Sequence, residues 1–154
     1  MKPVSFEVDG QKLTGTLFYP EQIKTKNPAI LFLHGWKSSQ KRMIPRAQQL
    51  AKLGFICLSF NLRGHGDSEG DRKILSRKDY VDDVIAAYDF LVQQAHVDKE
   101  RMGIICTSFG AYLGSILTSK RKVKWLVLHA PAGYPDEGFT DPKPEDSSWT
   151  IPWR

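Results

Sequence analysis

The chain has 154 residues, of which 41% are hydrophobic, 25% charged and 11% aromatic, and its formal net charge is +5. These proportions describe an ordinary globular domain and exclude disordered, collagen-like and low-complexity classes. No apolar run approaches the ~20 residues a helix needs to cross a bilayer. Residues 1–10 contain no apolar stretch of the kind that marks a signal peptide, so a cytoplasmic protein is expected.

Val4, Phe6 and Val8 alternate with Ser5, Glu7 and Asp9, and Asp9-Gly10 leads into a second alternating run through Leu13, Leu17 and Tyr19. Period two on both sides of Asp-Gly predicts a half-exposed β-hairpin. Four short apolar runs follow, at 29–33, 55–60, 102–106 and 125–129. They are too short for helices and too uniformly apolar for a one-sided sheet, which predicts buried parallel strands. Between them lies a helical segment over 40–53, stopped by Gly54 at the expected position past the helix end. A second covers 77–95, with Val81, Val84, Ile85, Tyr88, Leu91 and Val92 on one face and Ser76 and Asp79 placed as a capping box. A third opens near Phe109 and runs to about Ser119. The fold class is therefore α/β: an N-terminal β-hairpin leading into a mostly parallel sheet flanked by helices, with right-handed crossovers.

The core spans residues 1–130. Residues 131–154 hold five of the nine prolines and two of the four tryptophans without a period, and read as a loop or the start of a cap. Cys57 and Cys106 each sit inside an apolar run, the setting of small buried hydrophobes rather than of a disulfide. No Cys/His spacing suits zinc, so no metal is expected. Lys120, Arg121, Lys122 and Lys124 form the densest basic cluster. It reads either as a surface for an anionic partner or as a solvated helix end that complements the helix dipole. No aromatic residues interleave with it as base stacking would require, so no nucleic-acid partner is expected.

Ligands of a parallel α/β sheet bind beyond the carboxyl ends of its strands. Those ends are His34-Gly35-Trp36, Asn61–Ser68, Thr107-Ser108-Phe109-Gly110 and Ala130-Pro131-Ala132. A strand ending at Cys106 has about two residues in which to turn into a helix at Phe109. That displays the Ser108 hydroxyl at the sheet edge over a helix N-terminus, where amides and the helix dipole stabilise a developing oxyanion. An inert serine N-cap is the alternative. Gly110, Gly114 and Thr118 follow at spacings of four, a slim face able to lie close to the sheet.

Cys106-Thr107-Ser108-Phe109-Gly110 resembles the nucleophile elbow of the α/β-hydrolase family, with Cys in place of the first Gly. Leu31–Trp36 resembles that family's strand and oxyanion loop, and Phe60–Gly70 is similar to the loop after its next strand. The three occur in family order, nearest the esterase, monoglyceride-lipase and dienelactone-hydrolase-like branch. The resemblance implies an incomplete α/β-hydrolase sheet and a serine hydrolase acting on carboxylic esters or related acyl substrates. It implies Ser108 as nucleophile, the backbone N–H groups of Trp36 and Phe109 as oxyanion hole, and His34, Gly35 and Gly110 as supporting residues. Arg63, His65 and Asp67 would brace the loop after their strand. No cofactor is implied.

The family's remaining acid and histidine follow the nucleophile in chain order, and after Ser108 this chain offers only His129. His129, oriented by Asp136 or Glu137, is a candidate substitute base. The bland reading is a histidine closing a strand. His96 is expected at the opposite end of the strands. The resemblance thus implies the N-terminal portion of a longer hydrolase, inactive or weakly active by itself, with an uncovered strand at 125–129 open to self-association. The alternative is a non-catalytic module that binds a small acyl ligand or partner through the same crevice.

Overall fold

At the Asp9-Gly10 turn both residues have positive φ, 50° and 74°, the backbone of a two-residue connection whose twist matches the flanking strands. It joins β1 (Lys2–Val8) to β2 (Gln11–Phe18) as an antiparallel hairpin with Val8 opposite Gln11. The chain is seen here as a computed structural model, which describes residues 1–133. Residues 134–154, and with them most of the expected loop or cap, lie outside the described residues.

The four apolar runs form β3 (Asn27–Leu33), β4 (Ile56–Phe60), β5 (Val97–Thr107) and β6 (Trp125–His129). The sheet order is β1-β2-β4-β3-β5-β6, with β2 antiparallel to β4 and the last four strands mutually parallel. β5 starts five residues before the expected 102. Its first residue, Val97, pairs with Asn27, and the register then slips to Ala29 opposite Met102. The charged stretch Asp98–Arg101 between them hides this extension from a hydrophobic pattern. The Asp98 carboxylate accepts from Arg101 Nε and from the Glu100 amide and folds that stretch over.

The helix expected over 40–53 is divided. A short 3-10 turn at Gln40–Arg42 precedes α1 (Ile44–Lys52), and Pro45 falls in the first turn of α1, where its missing N–H goes unneeded. α2 (Arg77–Val92) opens on the predicted capping box, with Ser76 and Asp79 bonded reciprocally. α3 (Phe109–Thr118) follows β5.

Each side of the sheet buries one core. Leu31, Leu33, Leu58, Ile104 and Cys106 pack under α2 and α3, while Ile30, Phe32, Phe18 and Cys57 pack under Ala47 and Ala51 of α1. Neighbouring β3 residues thus point into different cores, which is why that strand is apolar throughout. Both cysteines are buried and free.

β6 departs from the expected buried strand. It has β5 on one side and no described neighbour on the other. Trp125 to Leu128 remain 37–50% exposed as a result. Three of the four residues of the basic cluster beside it are engaged within the chain. Arg121 forms two 2.7 Å bonds with Asp89, Lys122 pairs with Glu100, and Lys124 lies over the Trp125 ring. No described helix is long and apolar enough to cross a membrane.

Candidate active site

β5 ends at Thr107 and α3 begins at Phe109, so Ser108 alone reverses the chain. Its φ of 53° and ψ of −117° lie in a region that costs a non-glycine residue about 1–3 kcal/mol unless its surroundings impose it. Here they do. The Ser108 N–H donates to the His129 carbonyl at 3.0 Å, fastening the elbow to the end of β6. The Ser108 carbonyl accepts from the Ala111 and Tyr112 amides and opens α3. The hydroxyl makes no capping bond to the helix it precedes, unlike a serine whose side chain caps its helix. It is half-exposed at the sheet edge, over the positive end of α3.

Gly110 makes this turn sterically possible. A Cβ there would stand 2.5 Å from the Leu33 carbonyl oxygen and 2.6 Å from that of His34. One turn on, a Cβ at Gly114 would meet Cys106 Sγ at 2.6 Å. The sulfur at the elbow's first position therefore fills room that Gly114 leaves open. Thr118 does not continue this face. It is exposed, and Leu117 is buried instead. Eight residues at 3.6 per turn overshoot the Gly110 direction by about 80°, whereas seven fall short by about 20°.

The loop after β3 lies against the elbow. A Cβ on Gly35 would sit 3.4 Å from Ser108 Cβ and 3.9 Å from Oγ. His34 is fully buried. Its Nε2 accepts the Leu62 amide at 3.1 Å, so Nδ1 carries the proton and donates to the Gly35 carbonyl at 2.8 Å. The Ser38 amide donates to the same oxygen at 3.1 Å. The Gly35 carbonyl and the Trp36 N–H belong to one planar peptide unit. Holding the first therefore sets the direction of the second. Burial pushes the His34 imidazole down to about 4, which keeps it neutral and unsuited to act as a base near neutral pH.

Trp36 meets Phe109, Tyr80 and His65 edge-on, at ring separations of 5.1, 5.5 and 5.4 Å. Arg63 is buried. It donates through Nε to Asp83 at 2.5 Å and through Nη2 to Asp9 at 2.9 Å, joining the loop after β4 to α2 and the hairpin turn. Asp67, expected to brace this loop with Arg63 and His65, is exposed and makes no hydrogen bond among the described residues. The side chains of Asn61 and Ser68 do that work, because they lie on the buried side of the loop. Asn61 binds Gln40 N and Thr14 Oγ1, while Ser68 Oγ donates to the Asn61 carbonyl and accepts the Thr14 amide.

Sequence reasoning missed Asp83, although a signal existed. It is an acid between Val81 and Val84 on the apolar side of α2, four residues after the capping Asp79. His129 stands at the end of β6 opposite Thr107, with its carbonyl on the Ser108 amide. Among the described residues no side chain is hydrogen-bonded to Ser108 Oγ. His96 precedes β5 at the opposite end of the strands, as expected, and its carbonyl receives the Asn27 amide. Asp136 and Glu137 lie outside the described residues. No group of three or more potential metal ligands occurs among the described residues.

The family model described as serine aminopeptidase, S33, matches residues 24–150, and the chain belongs to this α/β-hydrolase family. Among curated relatives, the thiohydrolase aneE of Aspergillus aculeatus is 33% identical over 128 residues, which is 80% of this chain and 39% of that protein. Among solved structures, the α/β hydrolase GrgF from Penicillium superposes with a TM-score of 0.74 at 22% identity, over 84% of this chain and 45% of that one. The epoxide hydrolase VrEH1 from Vigna radiata gives 0.70 at 23% identity, over 87% and 41%. The chain thus spans less than half the length of these relatives. Its six-stranded mixed sheet is a partial α/β-hydrolase fold.

Proposed function

We propose that the chain carries the nucleophile and oxyanion hole of a serine hydrolase acting on carboxylic esters or related acyl compounds. The observation that carries this reading is the uncapped Ser108 hydroxyl, held at positive φ against Gly35. In this scheme Ser108 Oγ attacks the acyl carbon and loses its proton. The carbonyl oxygen becomes an oxyanion facing the Trp36 and Phe109 amides, each donor being worth about 3–4 kcal/mol. Collapse expels the alcohol or thiol, which takes up a proton, and water then releases the acid from Ser108. The part-exposed rings of Trp36 and Tyr112, packed over the buried Phe109, support a substrate with an apolar part.

Turnover by the isolated chain is expected to be weak, because among the described residues no base touches Ser108. In subtilisin, loss of the histidine alone costs about 10⁶-fold. Replacing His129 by Gln tests the substitute-base reading: any ester turnover routed through it should vanish. The same lack of a base favours the second reading, a module that binds acyl ligands without reaction. Incubation with a fluorophosphonate followed by peptide mapping separates the two. The hydrolase reading expects slow labelling confined to Ser108 and abolished by Ser108→Ala; no adduct at Ser108 removes it. The β6 edge, which has no strand neighbour among the described residues, is further proposed to pair with a second copy of the chain, since an apolar edge strand invites such pairing.

A further inference from the structure

His65 is buried in the loop after β4, and both of its ring nitrogens meet backbone carbonyl oxygens. Nδ1 lies 2.8 Å from the Arg63 oxygen and Nε2 lies 2.6 Å from the Trp36 oxygen. A carbonyl oxygen only accepts hydrogen bonds, and a neutral imidazole has one N–H to give. A neutral ring would set its second nitrogen lone pair against an oxygen lone pair. Both contacts are attractive only when each nitrogen carries a proton.

We propose that His65 is a positioning residue held as an imidazolium, stapling the oxyanion loop to the loop after β4 through the Trp36 carbonyl. One proton then governs the seating of the peptide that follows the Trp36 N–H. The inference rests on the reading of Trp36 as an oxyanion donor.

The surroundings suit a cation. From the end of β3, His34 faces the ring at 5.1 Å and Trp36 at 5.4 Å; from α2, Tyr80 faces it at 6.2 Å. His34 is neutral, so it adds no opposing charge, and the charge on His65 pushes it further in that direction. Arg63, whose carbonyl the ring grips, is met by three carboxylates, Asp83 at 2.5 Å, Asp9 at 2.9 Å and Asp79 at 3.5 Å. Ionised, they outnumber the guanidinium and leave the neighbourhood negative. Arg72 acts on Tyr80 in the opposite sense, and Asp67 is exposed to solvent. His34 and His65 therefore form a neighbouring pair with opposite protonation: one accepts an amide through a bare nitrogen, the other donates twice.

Loss of the His65 proton opens one staple. A histidine base makes acyl transfer rise with pH, whereas this staple makes it fall at higher pH. The test follows histidine ring nitrogens by NMR in the ¹⁵N-labelled chain from about pH 6 to about pH 10, with the His65 signals assigned by their absence in His65→Gln. The expected result at neutral pH is two protonated nitrogens on His65 and a bare Nε2 on His34. Deprotonation of His65 should then shift the backbone amides of Trp36 and Lys37. A bare nitrogen on His65 at neutral pH, or its titration without movement of those amides, overturns the proposal. If the variant does not fold, assignment through the ring contacts to Trp36 and Tyr80 lets the wild-type titration decide alone. Failure of fluorophosphonate labelling with the His65 signals as expected would instead remove the Ser108 reading, so the two failures are distinguishable.

Discussion

Ser108 has the backbone of a glycine and the side chain of a nucleophile. A φ of 53° is held by the His129 carbonyl and the start of α3, and it stores strain that glycine would not feel. Ser108→Gly should therefore stabilise the fold by about 1 kcal/mol in denaturant unfolding, while removing any acylation. An unchanged or lowered stability would show that the elbow is unstrained. His34 gives a residue-scale prediction with a definite sign. Its imidazole titrates at 6.5 when unfolded and about 4 when folded. Between those values the unfolded chain binds more protons, so stability contributed by His34 is complete above 6.5 and drains away as pH falls towards 4. At about pH 5 the loss amounts to about 2 kcal/mol. Asp83 opposes it: burial raises its carboxyl to about 6 despite Arg63, so its contribution falls as pH rises through the same window. Wild-type unfolding curves alone would mix the two. The difference between wild type and His34→Gln, measured from about pH 4 to about pH 7, should rise with pH if His34 is buried neutral.

At the scale of elements, the site depends on how closely α3 approaches β3. Leu33 and His34 present carbonyl oxygens where a Gly110 side chain would stand, and backbone cannot step aside as a flexible side chain can. Gly110→Ala should cost more than about 2 kcal/mol and should displace Ser108 from Gly35. Gly114→Ala meets the Cys106 sulfur instead, and the double change Gly114→Ala with Cys106→Gly should recover part of the loss. Equal stability of wild type and Gly110→Ala in urea would contradict the close seating of α3. Much of this element-level design was legible in advance. Alternation around Asp9-Gly10, the Ser76/Asp79 box and the four apolar runs each carry a local signal, and each forms the predicted element, save that the last run, β6, is an exposed rather than a buried strand. Asp98–Arg101 was not legible, because a strand extension made of charges has no apolar period. The split of the helix over 40–53 was signalled only by Pro45, which is compatible with a first turn as well as with a break. Thr118 misled because a spacing of four twice repeated drifts off the helix face.

At the scale of the whole sheet, the ends of β3, β4 and β5 are gathered in one place, and β6 has no outer neighbour among the described residues. Ser108, His34, Gly35 and Gly110 could be found in the sequence because strand ends in such a sheet converge. The cross-links between loops could not. His65 to Trp36, Arg63 to Asp83 and Ser68 to Thr14 join residues 20 or more positions apart whose only sequence signal is polarity. The open edge predicts association that depends on concentration. Sedimentation should show it in wild type and lose it in Val127→Lys, and a monomer at all concentrations would contradict edge pairing. The central claim is that Ser108 and the loop at Gly35-Trp36 form working acyl-transfer machinery although no base contacts Ser108 among the described residues. It is tested most directly by the rate at which p-nitrophenyl acetate acylates Ser108, followed by intact mass. Donors and binding alone leave about 10³–10⁴-fold over uncatalysed reaction. Wild type should accordingly acquire one acetyl group at Ser108 about 10³ times faster than any other serine, with Gly35→Ala slower and Ser108→Ala blank. Acetylation spread over lysines, at the same rate in wild type and Ser108→Ala, would contradict the account.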